Sequence, residues 1–469
     1  MLVTIQDTEL RQGIVAAIGR AKELSQSVLV SEVQKIDRLD SFHFFAAGRS
    51  RFLGERFFWQ DPHGTYKLAG VGVVRQIQCD KASGRFVHIE KEWKQFIETA
   101  VLAGKQDVPG SGPAMFGGFS FDPLKDKTGL WSKFSQSHFH IPAFMLTVLE
   151  DEAYFTTNVV CTQHDDASLF DKISEERQAI LAAAVREQEY SLPNLEALRE
   201  IQPEEWKQSV KDLVESLENS GLKKVVLARE LRLQFDQDVA VEGVLQRLTE
   251  QQRESFIFAF EANGDCFIGA SPERLVKKEG EKVFSACVAG SIPRGKTPEE
   301  DRQLGKVLLE DQKNLIEHQY VVEMIKEAMQ ETCDRVVLPD GPKLMKMKYI
   351  QHLYTPVTGE NRAGTSILDL VDRLHPTPAL GGLPKEKAVE KIREIEILDR
   401  GLYASPIGWL DHLGNGEFAV AIRSALIQAS EASLFAGCGI VADSDAESEY
   451  TETSIKFRPM LAALGGIKQ

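Results

Sequence analysis

The chain has 469 residues, of which 43% are apolar and 27% charged, as is ordinary for a globular protein. Its net charge of −15, with no compensating basic block, argues against nucleic-acid or membrane-surface partners. The longest purely apolar run, residues 179–185, is too short to cross a bilayer, and the N-terminus lacks a secretion-signal pattern. The six cysteines are scattered without metal-ligand spacing, so we expect buried thiols in a cytoplasmic protein.

The first part of the chain, residues 1–195, predicts a mixture of short strands and helices. Strand patterns cover residues 41–47, 66–74 and 143–160, the last as a hairpin, and helical patterns cover residues 90–102 and 169–187. Gly117 and Gly118, at the start of a strand, predict close backbone packing. The polar residues 189–199 predict a boundary, so we expect a second region over residues 200–469.

That second region predicts antiparallel hairpins separated by blocks of helix. A helix is expected from Pro203 to Gly221. The predicted strands are 223–235, 256–262, 266–270, 275–278, 283–289, 405–412, 417–428 and 433–441. Further helices are predicted at 299–331, at 385–398 and at the C-terminus. This order predicts an α+β protein rather than a parallel sheet.

Three charged residues within apolar stretches are candidates for a functional site. Lys224 stands in a strand among valines; pointing inward, it would be favoured as the neutral amine that a general base requires, and pointing outward it is a surface residue. Glu273 follows Ser271-Pro272 and is either a turn residue or, if burial raises its pKa, a general acid. Glu317 lies beside the apolar face of a predicted helix and is either solvated or bound to a cation.

The final helix places Glu449, Glu452 and Lys456 on one face. The simpler interpretation is a surface ion pair between Glu452 and Lys456. The functional interpretation is that Glu452 binds a hard cation such as Mg²⁺ while Lys456 meets an anionic group of the substrate.

The predicted strands before this helix carry one more candidate cation and two glycines. Arg423, in the middle of a predicted strand, invites a carboxylate partner. Gly437 and Gly439 either let backbone N–H groups approach a ligand or mark a bulge. Combined with the lysines and glutamates, they predict a site for a magnesium-bound, anionic small molecule.

Read in order, the motifs of residues 202–469 resemble those of the chorismate-utilising enzymes, a family that includes isochorismate, salicylate, anthranilate and aminodeoxychorismate synthases. The matching blocks are KVVLAR (224–229), IGASPERL (268–275), AGSIPRG (289–295), EDQKNLIEH (310–318), HPTPALGG (375–382), AIRSA (421–425), FAGCGIV (435–441) and SEYTETSIK (448–456). Residues 1–195 fit more loosely, chiefly through GGFSF (117–121). The resemblance implies two packed antiparallel β-sheets surrounded by helices. Residues 1–195 would contribute to this sandwich, and residues 200–469 would bind chorismate.

The resemblance also implies roles for individual residues. Magnesium would be held by Glu317 and Glu452, with Glu449 supporting it through water. Lys224 would activate a water molecule, and Glu273 would protonate the leaving C4 hydroxyl. Chorismate would be bound by Gly290, Ser291, His352, Ala379, Tyr403, Arg423, Gly437, Gly439 and Lys456.

Three positions distinguish the members of this family. Lys224 matches the water-activating lysine of the isochorismate-forming members, where anthranilate synthases usually have glutamine. Ala289 stands where aminodeoxychorismate synthases carry a nucleophilic lysine, and Ala379 where pyruvate-eliminating members tend to have threonine. We therefore expect isochorismate formation without an obligatory glutaminase subunit, and the long N-terminal region favours the menaquinone pathway.

Other functions stay open at this point. A salicylate synthase or a siderophore-pathway isochorismate synthase is the first alternative, with Ala379 as the feature against the former. An amine-forming synthase is disfavoured by Lys224. A catalytically silent chorismate-binding protein of the same fold is disfavoured because every acid, base and metal position is filled.

Overall fold

The computed structural model describes residues 5–186 and 188–466 and has an α+β fold. The helices are α1 (Thr8–Leu24), α2 (Ser41–Ala47), α3 (Arg49–Phe52), α4 (Arg85–Glu98), α5 (Ser168–Ala184), α6 (Pro203–Ser220), α7 (Val241–Gln251), α8 (Pro298–Glu310), α9 (Gln312–Thr332), α10 (Ile367–Leu374), α11 (Lys385–Ile395) and α12 (Ala446–Ala463).

The first strands are β1 (Val28–Ile36), β2 (Arg56–Gln60), β3 (Tyr66–Cys79), β4 (Val101–Gly104), β5 (Ala114–Phe119), β6 (Ser137–Leu149), β7 (Glu152–Cys161) and β8 (Leu195–Glu200). The strands that follow are β9 (Lys224–Phe235), β10 (Phe256–Ala262), β11 (Asp265–Ser271), β12 (Arg274–Glu279), β13 (Lys282–Pro293), β14 (Cys333–Val337) and β15 (Lys343–Lys346). The last are β16 (Ile350–Asn361), β17 (Gly382–Leu383), β18 (Pro406–Asp411), β19 (Gly416–Val420), β20 (Ser424–Gln428) and β21 (Glu431–Ile440).

The strands pair in two long runs that meet at β6. One run has the order β4–β1–β7–β6–β3–β2–β10–β11–β20–β21–β9, and β8 and β17 both pair with β9. The other has the order β5–β18–β19–β12–β13–β16, with β14 and β15 on β16 and with β5 also paired to one end of β6. Within the described residues every pairing is antiparallel except β1 with β4. The two sheets pack through an aromatic core, in which Phe57 of β2 stacks on Phe116 of β5 at 4.7 Å.

Two neighbouring connections carry the chain from one run to the other. Strand β11 leads into β12 through Pro272 and Glu273, and β19 leads into β20 through Arg423. The connections are bonded to each other, since Ala270 N donates to Arg423 O (3.0 Å) and Val420 N donates to Glu273 O (3.0 Å). The prediction of one strand over 417–428 was therefore wrong: Arg423 has φ +52° and lies between two strands, not within one.

Helix starts account for two further corrections. Residues 41–47, predicted as a strand, form α2, because the Asp40 side chain accepts from His43 N (2.9 Å) and caps the helix. The predicted helix 299–331 is two helices, α8 and α9, separated at Asp311, whose side chain accepts from Asn314 N (2.8 Å). An apolar run as short as 41–47 fits either a helix or a strand, so only the cap distinguishes them.

The remaining differences concern boundaries. The predicted helix 90–102 ends at Glu98, and residues 101–104 pair with β1. Part of the predicted boundary segment 189–199 is strand β8, which pairs with β9. The predicted helix 169–187 is α5, and Glu187 lies outside the described residues.

The hairpins at 143–160 and around Asn263-Gly264, the helix that ends before Gly221 and the close packing of Gly117 are confirmed. A Cβ on Gly117 would lie 2.0 Å from His138 O. All six cysteines are buried free thiols. None of the helices in the described ranges has the length and apolarity to span a bilayer.

Residues before and after the predicted boundary are joined by paired strands and by a buried ion network. Strands β2, β5 and β8 pair with β10, β18 and β9. Arg56 of β2 is fully buried and donates to Glu261 (2.9 Å) and Glu242 (2.7 Å). Removing one partner from such a network strongly destabilises the fold, because the remaining charges stay buried without their counter-charge.

Candidate active site

A cavity of about 250 Å³ lies where the two connections pass between the runs. Every site residue predicted from the sequence lines it: Lys224, Glu273, Gly290, Ser291, Glu317, His352, Ala379, Tyr403, Arg423, Gly437, Gly439, Glu449, Glu452 and Lys456. They come from the strands β9, β13, β16 and β21, from the two connections, from helices α9 and α12, and from the loops that hold Ala379 and Tyr403. The cavity therefore brings together residues that are more than 200 positions apart in the sequence.

Lys224, at the start of β9, points inward and is 7% exposed. Its ammonium forms an ion pair with Glu317 of α9. Gly439 on the neighbouring strand β21 leaves the space that this side chain occupies, since a Cβ there would lie 2.3 Å from Lys224 Cε. Gly439 of the FAGCGIV motif therefore makes room for the inward side chain of Lys224.

A second lysine–glutamate pair lies on α12. Lys456 Nζ is 2.6 Å from Glu452 Oε1 and donates to Gly437 O at 2.9 Å. The Lys456 ammonium lowers the pKa of Glu452. Burial alone would raise the pKa of Glu317, but the ion pair with Lys224 outweighs it and leaves that pKa lowered. Both carboxylates are thus held in the ionised form.

These carboxylates fit a hard cation. Glu317 and Glu452 each pair with a lysine ammonium, so the negative charge of the two carboxylates attracts cations at this place in the cavity. Both also offer the oxygen ligands that a hard cation prefers. Glu449 lines the same cavity, accepts from Ser444 Oγ (2.8 Å), and has its pKa raised by burial. In the described ranges no cluster of three or more His, Cys, Asp or Glu side chains could hold a metal by itself. Mg²⁺ usually takes one or two carboxylates and completes its shell with water and substrate, and Glu317 and Glu452 are two carboxylates that could supply such ligands.

Glu273 is a buried carboxyl group in the wall of the cavity. The residue is 3% exposed, and burial raises the pKa of Glu273 to about 8 against the opposing charges of Arg423, Lys224 and Lys456. Its backbone N donates to Ser271 Oγ (3.2 Å), and Ser271 Oγ donates to Val420 O (2.5 Å), so the turn is fixed. At neutral pH the carboxyl is protonated and can donate a proton.

His352, Ser291 and Gly290 form one wall of the cavity. Ser291 Oγ is 2.7 Å from His352 Nδ1, and burial, reinforced by Arg423 and Lys456, lowers the pKa of His352 to about 3. The imidazole is therefore neutral, and its Nε2 is buried without a partner among the described residues. Gly290 has φ +81° at a bulge of β13, a conformation that favours glycine.

Arg423 is the cation that is available to an anionic ligand. Unlike Lys224 and Lys456, it forms no ion pair with a carboxylate of the described residues. Tyr403, 3% exposed, lies close by, and burial raises the pKa of Tyr403 so that its hydroxyl stays protonated. A guanidinium and a phenol can together bind a carboxylate. Gly437 keeps this corner open, since a Cβ there would lie 3.3 Å from Tyr403 Oη.

Comparison with known proteins identifies the family. The sequence matches the family described as chorismate binding enzyme over residues 16–465. The chain belongs to the chorismate binding enzymes.

Two relatives match this chorismate-binding enzyme over nearly its full length. The isochorismate synthase MenF of Bacillus subtilis is 43% identical, and 99% of each chain is covered. The salicylate biosynthesis isochorismate synthase of Pseudomonas aeruginosa is 36% identical, over 98% of this chain and 96% of that protein.

Solved structures show the same fold. The menaquinone-specific isochorismate synthase MenF of Escherichia coli has a TM-score of 0.78 at 22% identity, with 97% of this chain and 100% of that one covered. Anthranilate synthase component I of Streptococcus pneumoniae has a TM-score of 0.70 at 19% identity, with 84% and 92% covered.

The cavity of this chorismate-binding enzyme also contains residues that the sequence reasoning missed. Asn314, in the first turn of α9, accepts from Ser291 N (3.3 Å). Arg400 is paired with Glu396 (2.7 Å) and donates to Val226 O (2.8 Å) and to Leu380 O. The Asp311 cap would have indicated the start of α9 and hence the position of Asn314. Glu396 precedes Arg400 by four residues, but Val226 and Leu380 are distant in sequence, so the local pattern did not indicate that Arg400 lines the cavity.

Proposed function

We propose that this chain is an isochorismate synthase, an isomerase that adds water at C2 of chorismate and releases the C4 hydroxyl. The observation that carries the proposal is the pairing, in one cavity, of an inward lysine with a carboxylic acid that burial keeps protonated. Water addition needs a base, and loss of a hydroxyl needs an acid. Lys224 and Glu273 supply this pair of groups.

Lys224 is the general base of the proposal. It takes a proton from water as the oxygen bonds to C2 and the ring double bonds shift. An ammonium held by Glu317 is not a base, so Lys224 has to leave this ion pair before it can accept a proton. A cation or substrate group that engages Glu317 would release it.

Glu273 is the general acid. Its proton goes to the C4 oxygen, which leaves as water, while the proton from the attacking water remains on Lys224. One water enters and one leaves, so chorismate and isochorismate have the same composition. The raised pKa of Glu273 is what makes a carboxyl useful as an acid near neutral pH.

The anionic groups of chorismate would be met by separate parts of the cavity. Arg423 and Tyr403 would bind the carboxylate of the enolpyruvyl side chain, and Lys456 would lie near the ring carboxylate. Glu317 and Glu452, with Glu449 beside them, would hold Mg²⁺. When bound, Mg²⁺ would neutralise the ring carboxylate and draw electron density from the ring.

The pathway assignment within the proposal is menaquinone biosynthesis. It is supported by the full-length match at 43% to a MenF isochorismate synthase, against 36% for the salicylate-biosynthesis relative. We further propose a cytoplasmic enzyme that needs no glutaminase subunit, because water rather than ammonia is the nucleophile.

Proton NMR of the purified protein with chorismate and Mg²⁺, without ammonia, tests the function. The expected result is a constant ratio of chorismate to isochorismate with no pyruvate. Salicylate with pyruvate would replace the proposal by a salicylate synthase. No change in the spectrum, even with ammonium added, would replace it by a silent binding protein.

A further inference from the structure

A second cavity, of about 300 Å³, lies beside strand β9 and the first turn of α6. Its walls come from residues 227–230 and 232, from the segment around Ile201 and Trp206, from Thr128 and Leu130, and from residues 395–399. In the described part of the chain it shares no lining residue with the active-site cavity. It is therefore a separate cavity, and the proposed reaction does not use it.

The body of this cavity is apolar. The apolar side chains that line it are Leu130, Ile201, Leu227, Ile395, Ile397 and Leu398. Among them Leu227 is buried, whereas Ile397 is 62% exposed. A concave, mainly apolar hollow with a few polar groups is typical of sites for small organic ligands.

The acidic side chains that line the cavity are already bonded. Glu230 accepts from Arg232 (2.8 Å), Glu396 accepts from Arg400 (2.7 Å), and Asp399 accepts from Thr128 N (2.8 Å). These carboxylates are therefore satisfied within the protein and do not call for a cationic ligand.

Arg229 is not matched in the same way. It is 3% exposed and donates to Thr453 Oγ1 (2.7 Å) and Ser454 Oγ (2.8 Å), which are both neutral. It forms no ion pair with a carboxylate of the described residues, and its guanidinium lies 3.9 Å from the centre of the Tyr450 ring. A buried cation with only neutral partners leaves a local excess of positive charge.

Trp206 supplies a second, independent sign of a missing acceptor. The residue is 7% exposed, and its indole Nε1 is buried without a hydrogen-bond partner among the described residues. An indole N–H can only donate, and a buried donor without an acceptor costs free energy. The helix that carries Trp206 has no side-chain cap at Gln202, but Glu204 and Glu205 in its first turn already offset its positive end, so the start of the helix does not itself indicate an anion.

We propose that this cavity is a second ligand site, which binds a small organic carboxylate with an apolar body of one or two rings. The apolar walls hold the rings. The carboxylate is placed by the Trp206 N–H and favoured by the positive charge of Arg229. The proposal does not depend on which reaction the first cavity catalyses.

Isothermal titration calorimetry with 2-naphthoate tests the proposal, with 2-naphthamide as a probe of the same shape but without the charge. We expect one naphthoate to bind per chain and the amide to bind at least tenfold more weakly, since hydrogen bonds to a charged group are the stronger ones. Equal binding of the two probes, or no binding of naphthoate at millimolar concentration, would overturn the proposal.

Variants then assign the site. Trp206→Phe keeps the ring but removes the donor and should weaken naphthoate binding roughly tenfold. Ser209→Trp, on the cavity wall, should abolish binding by filling the space. Arg423→Ala removes from the first cavity the cation that has no ion pair, does not touch the second cavity, and should leave naphthoate binding unchanged. Thermal unfolding checks that each variant is folded. Binding that survives both Trp206→Phe and Ser209→Trp, or that is lost in Arg423→Ala, would contradict the assignment.

Discussion

Three strands of the first part of the chain, β2, β5 and β8, pair with strands of the second part, whereas every residue that lines the active-site cavity belongs to the second part. The first lining residue along the chain is Lys224. The two parts of the chain therefore contribute differently, the first to the stability of the fold and the second to the site itself. Residues before about position 200 do not line the site and reach it indirectly, through paired strands and through loop contacts such as Phe121 N to Gly401 O (2.7 Å). Changes there should therefore affect mainly stability, and changes in the cavity should affect turnover.

The largest expected effect is that of Lys224→Ala. Loss of a general base should lower kcat by about 10³- to 10⁴-fold, or roughly 4–5.5 kcal/mol of activation free energy. Steady-state kinetics by chromatographic separation of the two isomers measures it. Lys223→Ala, at the neighbouring exposed position, is the matched control and should stay active. An active Lys224→Ala enzyme would refute the assignment of the base.

Arg56→Ala tests the first part of the chain. It leaves Glu261 and Glu242 buried without their cation and should reduce the free energy of unfolding by about 3–5 kcal/mol. Denaturant unfolding measures the loss, and the KM for chorismate of the remaining folded enzyme should not change. Arg38→Ala removes an exposed pair with Asp151 and should cost less than about 1 kcal/mol. If the change in KM, expressed as a free energy, were as large as the loss in free energy of unfolding, the two parts of the chain would not have separate roles.

Glu273→Gln should lower kcat by about 10²-fold, or roughly 2.7 kcal/mol, because the amide cannot give up a proton. In the wild type, kcat should fall as pH rises through about 8, where the acid form of Glu273 is lost. The variant should lose this limb of the pH–rate profile. An unchanged limb would assign it to another group.

Glu273→Gln should lower activity, but at high pH it should raise stability relative to the wild type. The pKa of Glu273 is raised by burial from 4.5 to about 8, so between these values the folded state binds more protons than the unfolded state. Stability of the wild type therefore decreases as pH rises through this range. Glu273→Gln removes this dependence, and its Tm relative to wild type should be higher at pH 8 than at pH 4.

The smallest effect is expected for Asp40→Ala. Loss of the cap of α2 should cost about 1 kcal/mol of stability and leave kcat and KM unchanged. Asp37→Ala, three residues earlier and outside the helix, is a control that keeps the cap. A kinetic effect of Asp40→Ala would show that the first part of the chain influences the cavity more directly than its contacts indicate.

The candidate site residues were named from sequence motifs, and the structure places all of them around one cavity, while their roles stay predictions. The identities of Lys224, Glu317 and Glu452 can be read from the sequence, whatever conformation the backbone adopts there. Their conformations could not be predicted in the same way. The left-handed backbone of Arg423 depends on the crossing of two sheets, which hydrophobic periodicity does not report.

Features that are formed by residues far apart in the sequence also could not be predicted. Arg400 contacts Val226 and Leu380, and its partner Glu396 accepts from Ala228 N (2.9 Å). None of these contacts has a local pattern. The same holds for the second cavity, whose walls come from four separate segments.

The most direct test of the account is a short reaction with chorismate and Mg²⁺ in ¹⁸O-labelled water, followed by mass spectrometry and ¹³C NMR of the isolated isochorismate. Water activated at Lys224 and a hydroxyl released at Glu273 predict one ¹⁸O atom, attached to C2. Isochorismate without the label would mean that the hydroxyl moves within the substrate, and would contradict the roles of both residues.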